Sequence, residues 1–86
     1  MTIKLVDVKK INEREIVDRN SLIGEVFNLR ETPFLNSPLV AEFTSRDKLL
    51  ATSKIRKIVA EGSNLTITTK NTIYTFEILW DEDDRN

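Results

Sequence analysis

Apolar and polar positions alternate most regularly over residues 64–80, NLTITTKNTIYTFEILW. Leu65, Ile67 and Thr69 interleave with Thr66, Thr68 and Lys70, and the alternation resumes after Asn71 through Tyr74, Phe76, Ile78 and Trp80. A period of two marks a half-buried strand, and β-branched and aromatic residues suit its pleated surface. Asn71 tolerates a left-handed backbone, so Lys70-Asn71 is the expected turn of a β-hairpin. That turn sets Thr69 opposite Thr72, Ile67 opposite Tyr74 and Leu65 opposite Phe76 on one apolar face. Thr66 then meets Thr75, and Thr68 meets Ile73, on the other. A slip of one residue would bring Leu65 against Glu77 and mix the faces. A hairpin alone has nothing to cover its apolar face, so the rest of the chain must supply the cover.

From the start of the chain, residues 2–8 read as a first strand, with Ile3 and Leu5 alternating against Lys4 before the pattern shifts at Val6 and Val8. Residues 9–20 are highly charged. They fit a strand ending near Ile11, a turn at Asn12-Glu13 and a short strand over 15–18, with a short helix as the alternative. Asp18-Arg19-Asn20-Ser21 is turn chemistry. Over residues 22–29, Ile23, Val26, Phe27 and Leu29 are expected core contributors, and Gly24 suggests a bulge or a close backbone approach. Thr32-Pro33 and Ser37-Pro38 bracket a loop, since each proline removes a donor and fixes its own φ. Residues 39–44 form another expected strand. A turn at Ser45-Arg46-Asp47-Lys48 would pair Thr44 with Leu49 and Phe43 with Leu50.

Residues 54–60 support two readings. On a helical wheel Ala51, Ile55, Ile58 and Val59 share one arc, with a capping-box-like start at Thr44 to Asp47 and Gly62 as a stop. As a strand, a turn at Glu61 to Asn64 pairs Ala60 with Leu65 and Ile58 with Ile67, which gives the hairpin a neighbour. The strand is the favoured reading. The whole is then an all-β or β-dominated domain over residues 1–80, a small, strongly bent antiparallel barrel of five or six strands. A sheet with one helix is the alternative. Residues 81–86 follow as an acidic tail.

Composition narrows the chemistry. The 86 residues suit one modest core, and small size favours a homo-oligomer as a source of further burial. Cysteine and histidine are both absent, which removes a disulfide framework, thiolate or His-based catalysis and the usual metal ligands. With two glycines there is no phosphate-cradling glycine loop. Asp81, Glu82, Asp83 and Asp84 could meet a hard cation, but nothing opposite them completes a cage. No cofactor and no enzymatic activity are therefore expected. No apolar run reaches the roughly 20 residues of a membrane-spanning helix, and the first ten residues lack the apolar core of a secretory signal. The expected setting is the cytoplasm. Net charge is −1, yet without the last six residues 12 basic groups stand against 10 acidic ones.

The segment Leu50-Ala51-Thr52-Ser53-Lys54-Ile55, with Ile58 and then Thr69-Lys70-Asn71-Thr72-Ile73-Tyr74, resembles the C-terminal half of short phage and prophage proteins. Those proteins carry Thr-Ser-x-(Ile/Val) followed by Thr-x-Asn-(Ser/Thr)-x-Tyr. The likeness covers residues 49–77, about a third of the chain. It implies a strand–turn–strand ending and a mobile-element origin within a host cell.

Lys54, Arg56 and Lys57 form a basic cluster to which Lys70, at the hairpin tip, could add; as a strand, Lys54 and Arg56 share one face and Lys57 takes the other. Such a patch suits phosphates or another anionic partner. Stacking aromatics for single strands would have to be Tyr74 and Phe76, which the register buries, so nucleic acid is the weaker expectation. Trp80 either closes one end of the core or meets a partner, and Phe34 with Leu35 either plugs the barrel mouth or touches another chain. Together these features predict a non-enzymatic phage-type accessory protein that blocks a host defence protein or sequesters a small nucleotide signal. The alternatives are a nucleic-acid-binding barrel and a structural component of a virion or complex. Because residues 81–86 carry no apolar surface, deleting them should leave the melting temperature within about 2–4 °C of the parent; a larger fall in a thermal melt would show a docked tail.

Overall fold

The computed structural model describes residues 1–11 and 19–80, the last by its backbone alone. Six antiparallel strands follow one another around a closed barrel: β1 (Thr2–Lys10), β2 (Val26–Asn28), β3 (Pro38–Phe43), β4 (Leu49–Glu61), β5 (Asn64–Thr69) and β6 (Thr72–Trp80). β6 pairs back onto β1 and shuts the ring. The strand reading of residues 54–60 therefore holds, and the helical one does not. The expected short strand over 15–18 lies outside the described residues.

The β5–β6 hairpin has the predicted register, with Leu65 opposite Phe76, Ile67 opposite Tyr74, Thr66 opposite Thr75 and Thr68 opposite Ile73. Its turn is held differently from expectation. Asn71 has no positive φ; among the described non-glycine residues that conformation belongs to Asn36. The turn is closed instead by Thr69, whose hydroxyl donates to the Thr72 carbonyl at 3.1 Å and accepts from the Thr72 amide at 3.2 Å. Both threonines are buried. The next hairpin also follows the expected pairing, with Ala60 opposite Leu65 and Ile58 opposite Ile67, and Gly62 takes a φ of 60° in its tight turn.

Four extra residues bend the long strands. Val6 is inserted in β1 between Leu5, opposite Phe76, and Asp7, opposite Thr75. Leu79 is inserted in β6, and β4 carries one extra residue at Thr52-Ser53 and another at Arg56. A bulge turns the strand and adds twist. It also changes the inward spacing locally from two residues to three. That is why Val8 follows Leu5 towards the core, and why Ile55 follows Thr52 and Ile58 follows Ile55. The same spacing made this segment look helical. Val6 and Leu79, apolar yet 38% and 48% exposed, are themselves the inserted residues. At the first β4 bulge the Thr52 hydroxyl accepts from the Leu39 amide at 3.0 Å, taking the place of a ladder carbonyl.

The interior is filled. Phe27 and Phe76 are fully buried and meet edge to face, with ring centroids 6.4 Å apart, while Phe43 packs on Phe27 at 4.7 Å and Tyr74 stacks with Phe76 at 6.2 Å. Ile3, Leu5, Leu39, Ile55 and Ile67 surround them. At Gly24 the expected close approach is not what calls for glycine, since a Cβ there would meet nothing within 4 Å; the positive φ is. The Gly24 amide donates to the Leu5 carbonyl at 2.7 Å, with φ at 96°.

Two expectations change. Ile23 is 44% exposed rather than core, because a 3-10 turn at Asn20–Leu22 packs Leu22 inward in its place; Val26 faces outward and is half-buried beside Phe27. In the β3–β4 hairpin, Glu42 rather than Thr44 lies opposite Leu49, and Ala41 rather than Phe43 lies opposite Leu50. Thr44 leaves that ladder because its amide and hydroxyl both donate to the Val26 carbonyl, at 3.1 and 3.2 Å. The shift keeps Leu50 on the inner face.

Phe76→Ala should destabilise the protein by about 3–5 kcal/mol in a denaturant titration, as for a fully buried aromatic. Thr66→Ala, on the outer face, should stay within roughly 1 kcal/mol.

Candidate functional site: a basic row on the outer face

The outer face of β4, β5, β6 and β1 is organised in rows, since residues opposite one another on neighbouring strands share a face. One row runs Lys57, Thr68, Ile73, Lys9 across all four strands. Three strand spacings separate its ends, roughly 14 Å. Lys54 lies one residue before Ile55 and Lys70 one residue after Thr69, and Ile55 faces Thr69, so Lys54, within β4, lies level with Lys70 in the β5–β6 turn. Arg56 is the inserted residue between them and Lys57. Lys9, Lys54, Arg56, Lys57 and Lys70 are all exposed. Among the described residues none of the five makes an ion pair.

The next row contains Val59, Thr66, Thr75 and Asp7, and the one beyond contains Glu61, Asn64, Glu77 and Lys4. Cations therefore gather near the β5–β6 turn, and acids lie towards the opposite end. Threonines, Ile73 and Val59, 40% exposed, fill the ground between.

The bulge overturns one expectation here. Strict alternation would send Lys57 to the face opposite Lys54 and Arg56. The inserted Arg56 instead leaves Lys57 exposed on the outer face and lets Ile58 turn inward. Lys54, Arg56, Lys57 and Lys70 are thus brought together. Trp80 is not: its backbone ends β6 opposite Thr2, at the other end of the barrel, and its side chain lies outside the described residues. Phe34 is elsewhere again, 58% exposed, and with Leu35 at 54% it does not plug the barrel mouth. It lines a groove of about 340 Å³ with Pro33, Pro38, Val40 and Leu49, flanked by the Arg30–Glu42 ion pair. Lys9 is the member of the basic row that sequence reasoning missed. Only closure of β1 onto β6 carries it to this face, although its place after the half-buried Val8 marks it as outward.

Among the described residues there is no cluster of three or more metal-ligating side chains, and every buried side-chain nitrogen or oxygen has a hydrogen-bond partner. No helix among them is long and apolar enough to cross a membrane. Comparison with known protein families, with curated proteins and with solved structures finds no match to the chain.

The juxtaposed cations repel one another. Lys70→Glu should therefore raise the melting temperature slightly at low ionic strength, by the equivalent of about 0.2–1 kcal/mol. The gain should disappear near 1 M salt, where the screening length falls to about 3 Å. A gain independent of salt in calorimetry would mean that Lys70 does not feel Lys54.

Proposed function

We propose that the protein is a non-enzymatic binding module that docks through its basic outer face onto an acidic surface of a partner protein. The observation that carries this reading is the group of five exposed cations on β4, on β1 and at the β5–β6 turn, none of them in an ion pair among the described residues, interleaved with threonine, Ile73 and Val59. Mixed apolar and basic ground on a rigid sheet suits a protein interface, where charge guides the encounter and apolar contact fixes it.

Nucleic acid is the weaker partner on two counts. The chain has a net charge of −1 and a pI near 5.4, whereas nucleic-acid-binding domains are characteristically basic. Tyr74 and Phe76, which could stack on bases, are 3% and 0% exposed inside the barrel. A small nucleotide signal needs a concave site that covers most of its surface, and the basic groups stand on the outside of a filled barrel. The resemblance to phage and prophage proteins gives the reading a setting, in which the acidic surface belongs to a host defence protein and binding blocks it. A structural role in a virion or complex has no observation of its own in support.

Immobilised polyglutamate serves as a first probe of the face. The parent should be retained in low salt and elute as ionic strength rises, while a Lys54/Arg56/Lys57→Ala variant, with an unchanged circular dichroism spectrum, should elute at least severalfold earlier in salt. Equal retention of parent and variant would remove this face from the function. Stronger retention on duplex DNA than on polyglutamate would move the reading to nucleic acid.

A further inference from the structure

The outer face that carries the cations is charged unevenly along its strands. Lys9, Lys54, Arg56, Lys57 and Lys70 gather towards the β5–β6 turn, whereas Asp7, Glu61 and Glu77 lie towards the far end, where β6 stops at Trp80 opposite Thr2. Trp80 is followed in sequence by Asp81, Glu82, Asp83 and Asp84. At the end remote from its own basic row, the chain thus carries a run of four acids that complements the row in sign. The lengths agree as well. Extended, residues 81–84 span about 10 Å, within the roughly 14 Å from Lys57 to Lys9.

These acids do not suit the row of their own barrel. Ile73 belongs to that row, and Trp80 lies seven residues further along β6, one of them the inserted Leu79. Six rises of about 3.3 Å put Trp80 roughly 20 Å from the row. Asp84, four residues on, reaches back at most about 14 Å. Only this last acid comes within the length of a lysine side chain, and the segment would run over Glu77, Asp7 and Glu61, which repel it. On another copy neither restriction holds, and all four acids can lie along the cations at once.

We propose that residues 81–84 of one copy dock on the basic row of another. The inference rests on the reading of this face as a dock for an acidic protein surface, and adds that the chain supplies such a surface itself. The contact is head to tail, since each copy offers its row at one end and its acids at the other. A heterologous contact of this kind does not close on a pair, so copies add one after another. An outside partner with an acidic surface has to displace the segment, so self-association and partner binding exclude each other at any one row.

Sedimentation equilibrium of the full chain tests this with two variants. Lys54/Arg56/Lys57→Ala removes most of the row and keeps the acids. Asp81→Asn, Glu82→Gln, Asp83→Asn and Asp84→Asn together keep the row and remove the acids. The mass of the parent should rise with concentration at about 0.01 M salt and return to that of a monomer near 1 M, as the screening length falls from about 30 to about 3 Å. Each variant alone should associate at least about tenfold more weakly, whereas an equimolar mixture should form one-to-one pairs, the acids of the first on the row of the second. Circular dichroism checks both folds; if the triple variant fails to fold, Lys57→Gln with Lys70→Gln takes its place. A parent that is monomeric in low salt up to roughly 1 mM, an acid-free variant that associates like the parent, or a mixture that stays monomeric would overturn the proposal. Retention on polyglutamate separates the two readings. A parent retained there yet monomeric loses the tail as occupant and keeps the face as a dock, whereas a parent neither retained nor self-associated loses both.

Discussion

A filled, closed ring of six strands is possible here only because its long strands are bent by inserted residues. Unbent strands of nine and thirteen residues would run past one another, leaving inward side chains stranded beyond the core. Val6, the extra residue at Thr52-Ser53, Arg56 and Leu79 coil β1, β4 and β6 around Phe27 and Phe76. The cost of each is an interrupted ladder. At Thr52 that cost is offset by a side chain that supplies the missing acceptor to Leu39. Glycine helps where a bulge alone does not, at Gly24, whose positive φ turns the returning chain onto the β1 backbone.

The sequence was most legible where period-two alternation survives. Residues 64–77 contain no inserted residue, so both the pairing and the buried face could be read from them directly. Residues 50–58 contain two, and there the inward side chains Thr52, Ile55 and Ile58 recur every third residue, which a helix would also produce. Nothing local separates the two; the neighbouring hairpin, which needs a partner strand, decides it. The β3–β4 turn was misplaced for a different reason. Thr44 is recruited by Val26, a residue 18 positions away that turn chemistry does not see.

The candidate site was legible in its β4 members and their chemistry, but not in its shape. Lys54, Arg56 and Lys57 are a visible cluster, yet their common exposure depends on the bulge, and Lys9 joins them only through closure between β1 and β6. Val40 and Leu49 were hidden because residues in an apolar stretch are read as core. They face outward because Leu39, Ala41 and Leu50 take the inward positions beside them. The molecule thereby divides its outside between a charged face over β4, β5, β6 and β1 and an apolar groove over β3.

Ring closure also bears on how the chain reaches its fold. The rungs joining β1 to β6 link residues far apart in sequence, Ile3 with Ile78 among them, whereas β3 to β6 are joined by short connections. Nearby pairings cost little loop entropy and form early, and distant ones follow them. During synthesis β1 leaves the ribosome before β6, and its second half, Asp7 to Lys10, waits for that strand as its ladder partner. Lys4, Asp7, Lys9 and Lys10 interrupt its apolar residues through that interval. Charges spaced along an unpaired strand hinder its pairing with other chains, so the polar half of β1 protects a nascent chain before any part of it serves the finished barrel.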